Sequence, residues 1–350
     1  MSITTHQRPG VYSEYDASSL VYGSGTGALV GLAAVNTTAQ AGEEVLVTGV
    51  EKAASLFGSE SGMCVMAALA LKNGARGVVC IPVADAEGYA AAFEKLCARE
   101  DIGVMVCDSV SLEVQQKLRE SVHTASAARR ERIAVVAGGV SESVEELVAR
   151  AAGLNSERMV LVAPGAVNAN GYSVSGALVA AAVAGAIAGQ TDPAVPLGGA
   201  ELLGVPGLSA MYGDNDLDTL ILGGVTPVER LGGTVSVVRG VTTRTTTGGE
   251  SDPTWRDLGT ILVIDTVVPA LRASLRSKFR RAKNTPRGRG AIRAQVVLEL
   301  ENFLSREVIT AYDGVSVTAD ETDPTRALVE FSFTAAHGLN QIWLSAHITV

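Results

Sequence analysis

The sequence predicts an α/β protein in which a parallel-sheet layer is followed by a smaller α+β domain. Between 45 and 162, short and continuously apolar segments alternate with helical ones, as in parallel sheets that are covered on both faces. After 244, the pattern changes to two long helical segments and to strands whose apolar residues alternate with polar ones. A glycine-rich stretch, 223–244, separates the two patterns.

The composition indicates a folded chain with large cores. The chain has 350 residues, of which 47% are hydrophobic and 19% are charged, and this excludes a disordered protein. Aromatic residues make up only 4%, so small and branched aliphatic side chains must fill the interior. The N-terminus lacks the features of a secretory signal, and the longest apolar run, 175–188, is too short to cross a bilayer. We therefore do not expect a membrane protein.

Four cysteines are scattered without a C-x-x-C pair, at Cys64, Cys80, Cys97 and Cys107. This spacing favours neither a metal site nor a disulfide framework. We expect them to be small apolar core residues of a protein that is synthesised in the reducing cytosol.

The elements of the first layer follow in a regular order. The segment 28–35, ALVGLAAV, predicts a short buried strand. The pattern then predicts strands at 45–47, 78–83, 102–107, 133–137 and 159–162. It predicts helices at 52–57, 62–72, 87–98, 112–128, 144–153 and 176–189. Ser143 and Glu146 form a capping box for the helix that stops at Gly153. The small residues of the last helix predict a close approach to its neighbours.

One motif in the chain favours a nucleotide. Residues 23–28, GSGTGA, satisfy G-x-G-x-x-A, which in dinucleotide-binding proteins opens a helix whose N-terminus faces the pyrophosphate. The segment after this motif predicts a strand instead, so we expect no cofactor. A dinucleotide-binding α/β enzyme remains an alternative function. The sequence has no G-x-x-x-x-G-K-[ST] loop, which argues against a nucleotide-driven motor.

The second domain is predicted as a mixed α+β unit. The pattern predicts helices at 266–281 and 290–307 and strands at 261–264, 315–318, 327–335 and 341–350. In the strand at 327–335, apolar and polar side chains alternate as on a half-buried sheet. The last strand alternates in the same way. One face carries Ile342, Leu344, Ile348 and Val350, and Trp343 lies on the other.

The charge of the chain is unevenly distributed. The net charge is −9, yet the segment 272–293 contains no acid. It contains nine basic residues: Arg272, Arg276, Lys278, Arg280, Arg281, Lys283, Arg287, Arg289 and Arg293. Subtracting these nine charges from the net charge leaves −18 on the rest of the chain. Such a chain can pair its basic and acidic surfaces between copies. Nucleic-acid binding is the second alternative, although Phe279 is the one aromatic residue in the segment that could stack on bases.

The stretch between the two patterns carries a family resemblance. It reads GGVTPVERLGGTVSVVRGVTTR, in which Gly232 and Gly233 predict a tight turn and 234–238 a strand. Other motifs accompany this stretch: RPGVY at 8–12, DPTWRDL at 252–258 and then ILVID, KNT, AIR, GLN and HITV in that order. Through these motifs together, the chain resembles contractile phage tail sheath proteins. The resemblance covers roughly 176 to the C-terminus and the first dozen residues. Its specificity lies in the order of many ordinary motifs.

This resemblance implies an architecture and a function. It implies an N-terminal linking arm at 1–22, a subtilisin-like α/β sheath domain at 23–225 and an α+β C-terminal sheath domain at 226–350. The chain would be a structural subunit of a phage, prophage or phage-tail-like bacteriocin. Copies would stack as hexameric rings around an inner tube and contract to drive the tube through a target envelope. The energy would come from two packings of folded subunits.

The resemblance also implies partners and places. The partners are further copies of the chain, the inner tube protein, and baseplate and terminator proteins, with no nucleic acid and no membrane. Assembly is expected in the host bacterial cytoplasm, and the product in a virion tail or tail-like particle. We expect strand exchange between subunits, through an arm around Val11 and Tyr12 and through the last strand. We expect the basic segment to contact the tube or an adjacent subunit.

The subtilisin-like name raises the question of proteolysis. A catalytic triad needs a nucleophile, an imidazole and a carboxylate that converge in space. His123 is the one histidine in the α/β part of the sequence, and we expect it on the surface of the helix at 112–128. The sequence contains no G-x-S-x-G elbow. We therefore expect no enzyme.

Overall fold

The structure, a computed structural model, describes residues 27–167 and 173–347. Within these ranges, one sheet contains β1 (Leu29–Val35), β2 (Val45–Val47), β3 (Gly77–Val83), β4 (Ile102–Cys107), β5 (Ile133–Ala137), β6 (Met159–Ala163), β7 (Val225–Leu231) and β8 (Thr234–Val237). The spatial order is β2-β3-β1-β4-β5-β6-β7-β8. The six inner strands run parallel, and β2 and β8 pair antiparallel at the two edges. The predicted parallel layer is confirmed.

Helices cover both faces of this sheet. They are α1 (Val50–Phe57), α2 (Gly62–Lys72), α3 (Gly88–Ala98), α4 (Leu112–Ala127), α5 (Val144–Leu154), α6 (Ala177–Gly189) and α7 (Asp214–Leu222). α1, α2 and α6 pack on one face, and α3, α4, α5 and α7 on the other. Within β3, Val78 and Cys80 belong to the first core and Val79 and Ile81 to the second, and all four are fully buried. Burial on both faces explains why these strands are continuously apolar in the sequence.

The small residues of α6 permit the close packing that the sequence predicts. A Cβ atom at Gly185 would lie 2.3 Å from the carbonyl oxygen of Ala70 in α2, so a larger residue cannot replace this glycine without moving a helix. The capping box of α5 is also confirmed. The hydroxyl of Ser143 accepts from the Glu146 amide, and the Glu146 carboxylate accepts from the Ser143 amide.

The hairpin of β7 and β8 belongs to the α/β layer, although it lies beyond the predicted domain boundary. Gly232 and Gly233 have φ values of 58° and 95° and form the predicted tight turn between these strands. The sequence did not predict β7 or α7. β7 pairs with β6, with Leu161 opposite Val225, so the boundary expected between 225 and 226 falls inside the sheet. The sheet layer extends to Val237.

A second unit follows, with its own core. It contains a short hairpin of β9 (Thr246–Thr247) and β10 (Glu250–Ser251), then α8 (Leu258–Phe279), α9 (Pro286–Ser305), β11 (Ile309–Ala319) and β12 (Ala327–Ala335). The buried side chains of Val263, Val267 and Leu271 in α8 pack with Val296 and Leu300 in α9. The predicted α+β composition of this domain is confirmed.

The strand predicted at 261–264 is wrong. These residues lie within α8, which begins after Asp257, whose carboxylate accepts from the Gly259 amide at 2.8 Å. A four-residue apolar run fits a strand and a buried helix equally well, and here the spacing of Val263, Val267 and Leu271 by four residues fits a helix. By length and composition α8 could also cross a membrane, although it is a core helix of this domain.

Of the two predicted linking strands, only part of the C-terminal one falls within the described residues. The expected arm at 1–22 lies outside the described residues, as do Ile348 and Val350. Residues 341–347 form no strand within the described chain. A strand requires a paired neighbour, and this segment pairs with none of the described strands. Within 341–347, the described part of the strand predicted at 341–350, the prediction therefore does not hold for the single chain.

Candidate assembly surfaces

The hairpin of β11 and β12 presents an unpaired sheet edge. Among the described strands, β12 pairs with β11 alone, in a register that places Tyr312 opposite Phe333. Val329, Phe331 and Phe333 are half-buried against the helices and alternate with exposed residues, as the sequence predicts. A two-stranded sheet is marginally stable alone, and an unpaired edge can accept a further strand.

A groove runs between this strand and α8. Its volume is about 790 Å³, and its apolar lining includes Ile264 and Val268 of α8 and Phe331 and Phe333 of β12. A strand added in this groove would find main-chain hydrogen-bonding groups on one side and apolar side chains on the other. Sequence reasoning missed the groove, because it depends on how a helix lies beside a strand from a later part of the chain.

The C-terminal segment exposes large apolar side chains. Ile342 is 81% exposed, and Trp343 and Leu344 are each 91% exposed. Toward the C-terminus, the last backbone–backbone hydrogen bond of the described chain runs from the Ala336 amide to the Val308 carbonyl oxygen, at 3.1 Å. Consecutive exposed apolar residues of this kind mark an interaction site. Three residues predicted for strand exchange, Ile342, Trp343 and Leu344, therefore lie on one exposed segment.

The basic residues at 272–293 do not all have the same role. Arg272 forms an ion pair of 2.8 Å with Glu131 of the α/β layer. Partial burial alone would raise the pKa of Glu131, but the hydrogen bond and charge of Arg272, a backbone hydrogen bond and the charge of Arg158 together lower that pKa. Three others are held inside their own domain: Lys278 by Gln295, Arg289 by Asn284 and Arg293 by the Val315 carbonyl oxygen.

The remaining five basic side chains form a free surface. They are all exposed and have no ion pair with any residue that the structure describes: Arg276, Arg280, Arg281, Lys283 and Arg287. These residues lie at the end of α8, in the turn after it and in the first turn of α9. The structure thus concentrates the unpaired positive charge at the tip of the α8–α9 hairpin.

A second ion pair joins the two domains. Arg158, at the start of β6, donates through both Nη atoms to the carboxylate of Asp265 in α8, at 2.7 and 2.9 Å. Both side chains are almost buried. Burial raises the pKa of Asp265, and the charge and hydrogen bonds of Arg158 oppose that rise. No pattern in the sequence points to this pair, because its members are 107 residues apart.

His123 contacts a serine that sequence reasoning did not connect with it. Its Nε2 lies 2.8 Å from the Ser156 hydroxyl, and its Nδ1 lies 3.9 Å from the Glu157 carboxylate. Burial lowers the pKa of His123, and Glu157 opposes this shift. Ser156 is only 1% exposed and already accepts from the Arg158 amide, so its hydroxyl is not open to a substrate. Glu157 is paired with Arg244 at 2.9 Å. The contacts among His123, Ser156 and Glu157 therefore have a structural role. His123 is half-buried, whereas the sequence predicted a surface residue.

The end of the glycine motif is fixed by packing. Of residues 23–28, the structure describes Gly27 and Ala28, and β1 begins at the next residue, as predicted. A Cβ atom at Gly27 would lie 2.5 Å from the carbonyl oxygen of Ala188 at the end of α6. Because a strand follows, this position offers no helix N-terminus for a pyrophosphate.

The four cysteines are core residues, as predicted. All four are buried and free. Burial raises the pKa of each thiol, to about 12 for Cys107.

Comparison with known families matches two stretches of the chain. Residues 83–243 match the phage tail sheath protein central domain, and residues 250–349 match the phage tail sheath C-terminal domain. The tail sheath protein of Bacillus phage SP01 is 27% identical over 254 residues, which are 71% of this chain and 43% of that relative. The chain thus spans less than half the length of this curated relative.

Solved structures share the fold over nearly the whole chain. A chain in the cryo-EM structure of the anti-feeding prophage baseplate has a TM-score of 0.77 at 16% identity, covering 99% of this chain and 100% of that one. A chain in the contracted helical sheath of the anti-feeding prophage gives 0.73 at 16%, covering 98% and 99%. The sheath tail protein from Desulfitobacterium hafniense gives 0.69 at 12%, covering 93% and 100%. At these identities the likeness shows the fold.

Proposed function

This chain belongs to the phage tail sheath family, and from that premise we propose that it is the sheath subunit of a contractile tail or tail-like particle. Copies stack as hexameric rings around an inner tube, between baseplate and terminator proteins. Contraction drives the tube through a target envelope. The subunit has no catalytic role, because the work comes from the difference between two packings of the same folded subunits. Assembly takes place in the host bacterial cytoplasm.

The observation that carries this proposal is a complementary pair of features on one chain. The exposed apolar segment at 341–347 lacks a partner strand within the described chain, and β12 has an unpaired edge beside an apolar groove. A segment of this kind and such an edge satisfy each other when they come from different copies. When the copy that accepts a strand passes its own strand to a third copy, the contact is heterologous and builds a polymer rather than a closed dimer.

The energy of one such junction is modest. Burying the apolar face of the segment, formed by Ile342, Leu344, Ile348 and Val350, yields about 1.5–3 kcal/mol per side chain, or roughly 6–12 kcal/mol. Association costs about 4–15 kcal/mol, which consumes most of that gain. A single junction is therefore weak, and many linked junctions hold the polymer together. The arm around Val11 and Tyr12 adds a second strand to each junction in this proposal.

The free basic surface suggests a second contact. The proposed contact with the tube or an adjacent subunit now rests on the five side chains at the tip of the α8–α9 hairpin, since Arg272 is already paired within the chain. Exposed ion pairs contribute only about 0–1 kcal/mol each and weaken with salt. We therefore assign this surface to the register of assembly rather than to its strength.

Electron microscopy of the purified protein tests the linkage. The wild-type chain should form long hollow tubes, and deletion of 341–350 should give a folded subunit that forms none. The double substitution Ile342→Asp with Leu344→Asp should act like the deletion, because it places charges in the groove. Gln341→Asp with Ser345→Asp adds the same charge on the opposite face of the segment and should still allow tubes.

Two results would contradict the proposal. Intact tubes after the deletion would show that the segment does not link subunits. An unfolded or aggregated product would show instead that the segment folds back on its own domain, and circular dichroism of the dispersed subunit separates this case from a failure of assembly.

A further inference from the structure

The C-terminal segment contacts the α/β layer just before it becomes exposed. Gly338 lies directly against the ring of Pro196, in the loop that follows α6. A Cβ atom at position 338 would lie 2.6, 2.7 and 2.8 Å from the Cβ, Cδ and Cγ atoms of Pro196. Real Cβ atoms do not approach ring carbons so closely, so any side chain at 338 must displace the backbone of one partner. The contact with Pro196 therefore requires glycine at position 338. The backbone conformation there does not, because other residues could adopt it.

The loop under Gly338 is held by several hydrogen bonds. In the loop that carries Pro196, the Ala194 amide donates to the Asp192 carboxylate at 2.9 Å, and the Val195 amide donates to the Asp192 carbonyl oxygen at 3.3 Å. The Gln190 side chain also donates to the Val195 carbonyl oxygen. Ala194 packs against the core of the C-terminal domain. The loop thus holds its position relative to both domains.

Beyond this contact the chain is free. Leu339 is 72% exposed and lines a groove of about 610 Å³ with Val195, Leu304 and Ile309, and every residue at 341–347 is exposed. The last well-held point of the described chain is therefore Gly338. It lies only four residues before Ile342, the first apolar residue of the linking segment.

We propose that the contact between Gly338 and Pro196 anchors the root of the linking segment and sets the direction in which it leaves the subunit. This inference rests on the proposed strand exchange. The anchor ties the segment to the α/β layer as well as to the hairpin from which it emerges. The orientation of the whole subunit is thereby transmitted to the strand that a neighbour receives.

The geometry makes the direction at the root important. Four extended residues span about 13 Å at 3.3 Å per residue, so a change of about 30° at Gly338 moves Ile342 by about 7 Å. That displacement exceeds the spacing of about 4.8 Å between paired strands. A segment that leaves in the wrong direction cannot reach the correct register on its neighbour.

Substitution at the contact tests the anchor. Gly338→Ala adds the one carbon that collides with the ring, outside the three hydrophobic cores. We expect a folded subunit whose melting temperature is unchanged, but a yield of tubes reduced at least tenfold in negative-stain images. Gly62→Ala is the matched control, because a Cβ atom there meets nothing within 4 Å, and it should assemble like the wild type.

A compensating substitution shows whether the effect arises at this contact. Pro196→Gly removes all three colliding carbons and leaves space for a methyl group at 338. Alone, it removes the surface on which the root rests and should also lower the yield of tubes. Combined with Gly338→Ala, it should give more tubes than either single variant. Absence of this recovery would overturn the proposal.

Two further outcomes would overturn it. Normal tubes from Gly338→Ala would show that the root needs no anchor, and an unfolded Gly338→Ala subunit would show that the contact belongs to the fold. Deletion of 341–350, run in parallel, separates the two levels of inference. If that deletion leaves tubes intact, the strand exchange itself fails. If it abolishes tubes while Gly338→Ala assembles normally, the anchor alone fails.

Discussion

Replacing Arg158 with methionine should destabilise the subunit, and most strongly at neutral pH. The Arg158 guanidinium donates two hydrogen bonds to the Asp265 carboxylate, and the two side chains are only 12% and 13% exposed. It also donates to the Arg132 carbonyl oxygen at 3.1 Å. Methionine has a similar length but no charge, so the carboxylate of Asp265 would remain almost buried between the two domains without its partner.

The expected loss can be estimated from burial. Removing one member of a buried ion pair costs about 3–5 kcal/mol, because the other charge remains uncompensated. We expect the lower end of this range at pH 7, about 3 kcal/mol, since the pair keeps some contact with water. About 1 kcal/mol of it belongs to the hydrogen bond with the Arg132 carbonyl oxygen. For 350 residues at about 2.1 cal/mol/K each, a loss of about 3 kcal/mol lowers the melting temperature by about 4 °C.

The sign of the pH dependence follows from Asp265. Burial raises its pKa, against the opposing charge of Arg158. A carboxyl whose pKa is higher in the folded state contributes stability below its unfolded pKa and loses it as pH rises through the folded value. Without Arg158 the folded pKa rises further, so the loss in the variant grows as pH rises from about 3.9, the ordinary value for Asp. Below that pH, only the lost hydrogen bond of about 1 kcal/mol remains.

Urea unfolding of the dispersed subunit at pH 4, 5.5 and 7 measures this effect. The control is the same Arg158→Met substitution in an Asp265→Asn background, where nothing at 265 titrates and the loss should not change with pH. A loss in the wild-type background that is equal at pH 4 and pH 7 would refute the reasoning. So would a loss below about 1 kcal/mol at pH 7, because the pair would then behave as an exposed one.

Two further predictions concern ligands and assembly. NAD, FAD and ATP should not raise the melting temperature of the subunit, because a strand follows Gly27 and Ala28; a reproducible rise at micromolar ligand would contradict this. Arg280→Glu with Arg281→Glu should impair tube formation in a salt-dependent manner and change the free energy of unfolding by less than about 1 kcal/mol. Arg129→Glu with Arg306→Glu changes the net charge equally at exposed sites elsewhere, and normal tubes from both pairs would refute a specific role for the hairpin tip.

Much of the α/β layer could be predicted because its strands are buried on both faces. Continuous apolar runs such as Ile133–Ala137 and Met159–Ala163, when helices separate them, are typical of strands that lie between two layers. β7 escaped this reasoning because Pro227 interrupts it and Glu229 and Arg230 lie near its exposed end. Both features are typical of loops and edge strands. Here β7 pairs with β6 through its first three residues, 225–227, and with β8 through its last four, 228–231.

The polar contacts between the domains could not be predicted. Arg158 with Asp265 and Arg272 with Glu131 are separated by more than 100 residues, and each charged residue alone looks like an ordinary surface side chain. Pairing of this kind depends on how α8 lies against the sheet layer, which hydrophobic periodicity does not specify. The contact of His123 with Ser156 lies within the α/β layer and joins residues 33 apart, which hydrophobic periodicity does not specify either.

The C-terminal segment shows why a strand pattern can be sound in a sequence and unpaired in the single chain. Alternation records which side chains will be buried together, but it does not record whose backbone supplies the hydrogen bonds. In β12 the alternating residues found a partner in β11 of the same chain. At 341–347 the same alternation leaves Ile342 and Leu344 exposed, without a partner strand in the described chain. A chain that exposes such a segment and also has an unpaired edge on its own hairpin has the means to bind copies of itself. In the proposal above, the anchor at Gly338 sets the direction in which this segment leaves the subunit.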